Sequence, residues 1–334
     1  MKLNKIFKRT ELYILLTIIL LIIVVEIRSG QFLTGNNLVD LARSMIVPGM
    51  FAIGAYVVLV SGGIDVSFPA IAALSMFATV QIFTAIDYQG SVFFIYLVGA
   101  IIGLLLGSIN ALLIAKFKFQ TLIVTLGTTS LFTGILLGPL KAHQMAIPDP
   151  MHDHGKAKLF SAYNNELGLN SNMPVTILIF IGLLIFAFFL MRYTMIGKGI
   201  FAVGGDEVSA QRAGFNVFFT HFFVYCFVGI ISGITGIAQA SMMLNANPNS
   251  MLGIELTVIA AVVLGGARIA GGTGTLTGTI LGVALLTIVA NSLILIGIPT
   301  YWQRIFTGAI IIIGTGISAY QMTKTKKHLS TTKT

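Results

Sequence analysis

The chain has 334 residues, of which 56% are hydrophobic and only 9% are charged, and its mean hydropathy is +0.95. Soluble domains carry about 25% charged residues, so this composition excludes a water-soluble globular protein and indicates several membrane spans. The net charge of +9 is scattered over the ends of apolar runs, which is typical of contact with a lipid bilayer and argues against a nucleic-acid partner.

Apolar runs predict an all-α bundle of about ten transmembrane helices, because a helix needs roughly 20 apolar residues to cross the hydrocarbon core. The predicted spans cover residues 12–27, 45–61, 67–86, 91–115, 121–140, 174–191, 216–241, 255–267, 275–296 and 302–320. No small-residue cleavage pattern follows the first run, so we interpret it as an uncleaved span. We expect residues 1–334 to form a single membrane domain.

Lysine and arginine positions favour cytoplasmic chain ends. With the N-terminus inside, 14 of the 20 basic residues fall in cytoplasmic segments, as the positive-inside rule requires. Residues 192–215 then form a cytoplasmic loop and residues 321–334 a cytoplasmic tail, whereas an extra or missing span before residue 195 would invert this placement. Residues 141–173 form the main external loop, which we expect to be irregular or to hold one short helix, and to meet an extracytoplasmic protein.

Two glycine-rich breaks interrupt the apolar pattern. At residues 61–67, Ser-Gly-Gly-Ile-Asp-Val-Ser predicts the end of one helix and the start of the next. Residues 264–274 repeat this arrangement, with two glycines after an apolar run and a charge close behind. Both breaks lie at the cytoplasmic end of a predicted span, so they are either related elements or chance resemblances.

Residues 195–215 form a polar island between two apolar runs, and their second half has the pattern of a short helix. The side chain of Asp206 can cap the first turn, and Glu207 places negative charge at the positive end of the helix. Gly214 can end the helix in the left-handed conformation. Two helical turns are marginal alone, so we expect this helix to lean on another surface, although an ordinary loop helix is the simpler alternative.

These three motifs, in this order, resemble those of the permease subunits of ribose-type bacterial ATP-binding-cassette sugar importers. Within residues 195–215, the chain departs from the family pattern at Asp206, Ser209 and Phe215, where the family usually or often has Asn, Ala and Ile. The resemblance implies a multi-pass inner-membrane permease for a ribose-like monosaccharide or the sugar-like signal autoinducer-2. It also implies three partners: an ATPase subunit that uses ATP and Mg²⁺, an extracytoplasmic sugar-binding protein, and a second permease subunit, identical or a sister chain.

In this family the short cytoplasmic helix sits in a groove of the ATPase. The resemblance therefore assigns ATPase coupling to Gly197, Lys198, Ala202, Gly204, Asp206, Glu207, Ala210, Arg212 and Gly214. For Lys198 and Arg212, anchoring at lipid headgroups is an equal alternative to ion pairing with the ATPase.

Groups that could line a translocation path are glycines at the two breaks and polar residues in or beside the spans. They are Gly62, Gly63, Asp65, Asn110, Gln239, Asn291, Gly265 and Gly266. Polar groups are costly in lipid and often mark a pathway, although amides more often tie helices together and Asp65 more simply caps a helix.

Enzymatic chemistry is not expected in this chain. It has no Gly-x-x-x-x-Gly-Lys-Ser/Thr motif, so any ATP hydrolysis belongs to a partner, and no cofactor or metal is predicted. The spacing of His143, His152, Asp153 and His154 is unlike a metal motif. The alternative function, an autonomous channel or secondary transporter, would need buried ionisable groups that the spans nearly lack.

Overall fold

The computed structural model describes residues 10–164 and 168–299, together with seven isolated positions between 302 and 316. The described residues form twelve α-helices, a short 3-10 helix at Pro248–Ser250, and two strands. The helices are α1 Thr10–Ser29, α2 Gly35–Val60, α3 Phe68–Ala85, α4 Val92–Ala115, α5 Thr121–Leu137, α6 Asp149–Lys156, α7 Ile177–Tyr193, α8 Met195–Gly205, α9 Glu207–Arg212, α10 Val217–Met243, α11 Glu255–Leu264 and α12 Leu276–Leu295.

Six of these helices, namely α1, α2, α3, α4, α10 and α12, are long and apolar enough to cross a membrane. Helices α7 and α8 meet at a bend of 71° and count as a seventh span if they are taken together. Helix α11 has only 10 residues, or about 15 Å at 1.5 Å per residue, which is half the hydrocarbon thickness. The count of about ten spans stays a prediction, and the span predicted at 302–320 lies outside the described residues except for isolated positions.

The loop of residues 141–173, which was predicted to be external, is folded rather than irregular, and it corrects the all-α prediction. The expected short helix is present as α6, but it is followed by an antiparallel hairpin of β1 Lys158–Asn164 and β2 Leu169–Pro174. The hairpin packs on the start of α2, where the Ser171 hydroxyl donates to the Asp40 carboxylate at 2.8 Å. Sequence periodicity missed the strands because most side chains of β1 are exposed and show no apolar alternation.

Polar residues fix where three of the spans begin. The side chains of Ser91, Asn216 and Thr275 accept hydrogen bonds from backbone N–H groups in the first turns of α4, α10 and α12, at 3.3, 2.9 and 3.1 Å. Each satisfies a donor that the helix itself cannot pair, which is costly to leave open next to lipid. These caps explain why the predicted boundaries of the same three spans are close to the observed ones.

Helices α4 and α10 cross in close contact along a seam of glycines. A Cβ atom added to Gly107 would lie 2.8 Å from the Cα atom of Gly229, and one added to Gly103 would lie 3.0 Å from that of Gly233. Small residues at four-residue spacing let two membrane helices approach at backbone distance. Helix α10 therefore lies at the centre of the bundle, where it also packs against α2 and α3.

Contacts between loops define two ends of the bundle. At one end, Gly204 in the last turn of α8 meets Gly62 and Gly271, which lie in the segments after α2 and α11. At the other end, Met145 and Ala246 exchange backbone hydrogen bonds of 3.1 and 3.0 Å, which joins the external loop to the loop after α10. Which of the two ends faces the cytoplasm stays a prediction.

Candidate functional site

The three glycine-rich motifs meet at one point, which we call the glycine node: Gly62, Gly204, Gly271 and Gly272. A Cβ atom added to Gly204 would lie 2.8 Å from the carbonyl carbon of Ser61 and 2.9 Å from the Gly272 nitrogen. The same atom would collide with the carbonyl oxygen of Val60. No side chain therefore fits at Gly204, and the end of α8 rests directly on the backbone of the break after α2.

Backbone conformation adds a second requirement for glycine at the node. Gly62, Gly271 and Gly272 have φ angles of +85°, +86° and +72°, in the left-handed region that residues with a side chain adopt at a cost. The Gly272 N–H donates to the Val60 carbonyl at 2.9 Å, which ties the loop after α11 to the end of α2. The node therefore joins three elements mainly through main-chain atoms.

Residues 195–205 form a helix, α8, which leads into the node. This differs from the sequence prediction, in which these residues belong to a polar loop. Thr194 starts α8 by accepting from the Gly197 N–H at 3.1 Å. Gly197 lies against the end of α7, where an added Cβ atom would be 2.6 Å from the Cα atom of Met191. The sharp bend between α7 and α8 therefore depends on glycine at this position.

Helix α9 confirms the predicted short capped helix. The Asp206 carboxylate accepts from the Ser209 N–H at 2.7 Å, and Gly214 ends the helix with a φ angle of +91°. Only Ala210 of the six residues is buried, against the rest of the molecule. Hydrogen bonds from the side chain and then the backbone of Ser209 lower the pKa of Asp206, so this cap is ionised at neutral pH.

We expect Asp206→Asn to keep uptake close to that of the native protein and Asp206→Ala to reduce it. Asparagine can accept the same hydrogen bond from Ser209, whereas alanine leaves the first turn of α9 uncapped. Because the pKa of Asp206 is lowered on folding, its contribution is present at neutral pH and is lost only as the pH falls through that lowered value. Uptake normalised to the protein in the membrane fraction tests this, and equal loss in both variants would contradict it.

A side-chain pair links α9 to the span that follows it. Nε2 of His221, in the second turn of α10, lies 3.0 Å from Oε1 of Glu207. Within the described ranges this is the only acid–base pair closer than 4.0 Å. His221 is largely buried while Glu207 is exposed, so the pair holds the start of α9 against the bundle. Sequence reasoning missed His221, because no local pattern relates it to a residue fourteen positions earlier.

Asp65, Ser67 and Asn110 form a buried chain of hydrogen bonds beside the node. The Asn110 amide donates to the Ser67 hydroxyl at 2.7 Å, and that hydroxyl donates to the Asp65 carboxylate at 2.6 Å. Asp65 also accepts from the Ser67 N–H at 2.7 Å, which organises the start of α3. Asp65 therefore forms a turn just before α3 rather than capping it, because the N-cap residue is Ser67 and no side chain caps the first turn. Asn110 ties α4 to the same break.

Other candidate residues are placed individually. Gly63 lies against the Tyr225 hydroxyl group, and Gly265 lies 2.8 Å, as measured from an added Cβ atom, from the Cα atom of Thr279 on α12. Gly266 has a φ angle of +93° in the turn that ends α11. The structure does not bring the remaining candidates into the node: Lys198 and Arg212 are exposed, and Ala202, Gln239 and Asn291 are half-buried along their helices.

The external histidines do not assemble into a ligand set. The His154 ring packs edge-on against Tyr96, with centroids 5.6 Å apart, and partial burial lowers the pKa of His154. Among residues 10–164 and 168–299, no group of three or more His, Cys, Asp or Glu side chains could hold a metal ion. His154 is therefore a packing residue of the external loop.

Comparison with known proteins identifies the class of the chain. Residues 37–314 match the family described as "Branched-chain amino acid transport system / permease component". The ribose import permease protein RbsC of Haemophilus influenzae is 30% identical, over 92% of this chain and 93% of the relative. RbsC of Bacillus subtilis is 31% identical over 89% of each chain. The L-arabinose ABC transporter permease protein AraH of Azospirillum brasilense is 29% identical, over 92% of this chain and 87% of the relative.

No solved structure gave a significant match. The family match extends from the start of α2 to beyond α12, so it includes the glycine node, α9 and all but one of the long apolar helices. Members of this family are transport subunits rather than enzymes. The chain therefore belongs to the family of transport-system permease components, as a multi-pass inner-membrane subunit of the ATP-binding-cassette class.

Proposed function

We propose that this chain forms the membrane path of a sugar importer and that α9 is the helix through which a separate ATPase subunit drives it. One observation carries the proposal. Helix α9 is almost entirely exposed, while α8, which leads into it, is seated without free space on the glycine node. A partner can therefore reach α9, and any displacement of α9 acts on the bundle.

Two connections can transmit a displacement of α9. Its start is bonded to α10 through Glu207 and His221, and its preceding helix rests on the break between α2 and α3 at Gly204. Helices α2, α3 and α10 contain much of the buried core. We infer that closure of the ATPase around ATP and Mg²⁺ moves α9, and that these three spans then alternate access to the path.

The proposed substrate is a simple sugar. The family description mentions branched-chain amino acids, whereas two of the relatives are named for ribose and one for L-arabinose. These relatives cover most of this chain, so a ribose-like monosaccharide is the substrate class we propose. The sugar-like signal autoinducer-2 is a second member of that class.

Two further partners complete the proposal. A second permease subunit, identical or a sister chain, would share the path, and an extracytoplasmic sugar-binding protein would deliver the substrate. The hairpin of β1 and β2 lies at the end of the bundle opposite the node, and its first strand exposes Leu159, Phe160 and Tyr163. Exposed aromatic side chains are common at protein interfaces, which supports this hairpin as part of the contact with the binding protein.

Cysteine labelling tests the orientation on which the proposal depends. The chain has a single native cysteine, Cys226, so Cys226→Ala provides a cysteine-free background. In that background, Ser209→Cys on α9 should react with a membrane-impermeant maleimide only in inverted vesicles. Ser161→Cys on the exposed face of β1 should react only in intact cells.

The two variants control each other, because both positions are exposed and both begin as serine. Equal labelling of both positions from one side would contradict the proposed topology, in which α9 and the hairpin lie on opposite sides of the membrane. Labelling of Ser209→Cys from the exterior of intact cells would overturn the ATPase-coupling proposal, because no cytoplasmic ATPase could then reach α9.

A further inference from the structure

A cleft of about 700 Å³ opens beside α9, between that helix and the turn that joins α4 to α5. It is lined by both polar and apolar side chains. Those that matter here are Lys118 and Phe119 from the turn, Val208 and Gln211 from α9, and Phe218 and His221 from α10. A molecule that docks on α9 would therefore also cover this cleft.

The turn contains two neighbouring pairs, each a lysine followed by a phenylalanine, in different surroundings. The Lys116 ammonium group lies 5.8 Å from the centre of the Phe117 ring. Phe117 and Phe119 stack with centroids 5.8 Å apart, and 56% and 55% of their surfaces are exposed. Only Lys118 and Phe119 line the cleft. Lys116 and Phe117 lie outside it and provide a matched control pair of the same residue types.

The cleft contains one lysine and one glutamate, and the two do not pair with each other. Glu207 is its acidic side chain, and it is already paired with His221 at 3.0 Å. Within the described ranges, Lys118 has no carboxylate within 4.0 Å. An occupant that matches this surface presents a carboxylate to Lys118 and an apolar side chain to Phe119.

We propose that this cleft is a second half of the ATPase contact, and that it receives an acidic, apolar-tipped element of the ATPase subunit. This inference rests on the proposed function, because Val208 and Gln211 belong both to α9 and to the cleft wall. The ATPase then grips the permease at two points, α9 and the turn after α4. Because α4 packs closely on α10 along the glycine seam, the second contact acts on the same central helix as the first.

The test measures binding of the ATPase subunit to the permease in lipid nanodiscs, as a function of salt. Lys118→Glu and Phe119→Ser should each weaken binding about tenfold, the loss typical of an interface residue that matters. Lys116→Glu and Phe117→Ser should stay within about twofold, since their side chains lie outside the cleft. Salt should weaken binding of the native protein, and Lys118→Glu should reduce that dependence.

Two outcomes would overturn the proposal. Equal effects of the two pairs would show that all four side chains serve as membrane anchors, and would overturn the proposal. Normal binding by Lys118→Glu and Phe119→Ser, together with lost binding by Val208→Arg on α9, would overturn the cleft and leave the proposed function standing. Thermal unfolding of each variant in nanodiscs identifies folding defects. If Phe119→Ser proves unstable, the test still stands on Lys118→Glu, which changes a side chain at the exposed turn.

Discussion

Gly204→Ala should abolish uptake, whereas Gly205→Ala, one residue further along the chain, should leave it nearly unchanged. A methyl group on Gly204 would collide with the Val60 carbonyl oxygen, while one on Gly205 would meet no atom within 4 Å. The contact at Gly204 is backbone against backbone, so no side chain can rotate away, and α8 must lift from the node. Overpacking of this kind costs about 1–3 kcal/mol or more, which is large for a contact that must stay in register.

Uptake of radiolabelled sugar, normalised to permease in the membrane fraction, measures the effect. We expect Gly204→Ala to retain less than about a tenth of native uptake, the equivalent of 1.4 kcal/mol, while the amount of inserted protein stays similar. The adjacent glycine is the control for any general loss of backbone freedom. If both variants transport normally, the node has no part in coupling.

Val208→Arg should produce a permease that inserts and folds but no longer retains the ATPase. Val208 is 57% exposed on a helix that buries only Ala210, so its side chain is available to a partner. Burying a valine side chain in the ATPase groove contributes about 1.5 kcal/mol to the free energy of binding. An arginine in its place would lose this contribution and would add a charge that must be desolvated. We therefore expect ATPase retention in detergent to fall at least about tenfold.

Leu159→Arg is the matched control for this experiment. Leu159 is also an exposed apolar residue, at 46%, but it lies in the hairpin at the end of the bundle opposite α9, which the proposed topology puts out of reach of the ATPase. Both variants place an arginine on the surface, so they share any general effect of charge on insertion. Loss of the ATPase from both, or from neither, would contradict a specific role for α9.

Span boundaries were predictable where a polar cap directly precedes an apolar run. The predicted span 91–115 corresponds to α4 Val92–Ala115, and the predicted span 275–296 corresponds to α12 Leu276–Leu295. Helix α2 begins at Gly35, ten residues before its predicted start. Hydropathy missed these first turns because they contain the polar residues Asn36, Asp40 and Arg43. Asp40 is bonded to Ser171 of the hairpin, so a long-range contact that hydropathy cannot register supports this polar extension.

The candidate site was only partly predictable for a similar reason. Local signals identified the cap at Asp206 and the stop at Gly214, because the chemistry of a helix end lies within a few residues. The same signals marked the breaks at 61–67 and 264–274 as unusual. They gave no reason for these breaks to meet Gly204, and none for His221 to meet Glu207, because both are tertiary contacts between distant segments.

The composition of the glycine node has a consequence for how the subunit responds to force. Its contacts are backbone against backbone, with no free space at Gly204, so close packing rather than a movable side chain carries a displacement from one element to the next. A joint of this kind passes on a small displacement almost undiminished. The permease should therefore respond to even a sub-ångström step of its motor as a rigid lever would, without first taking up slack.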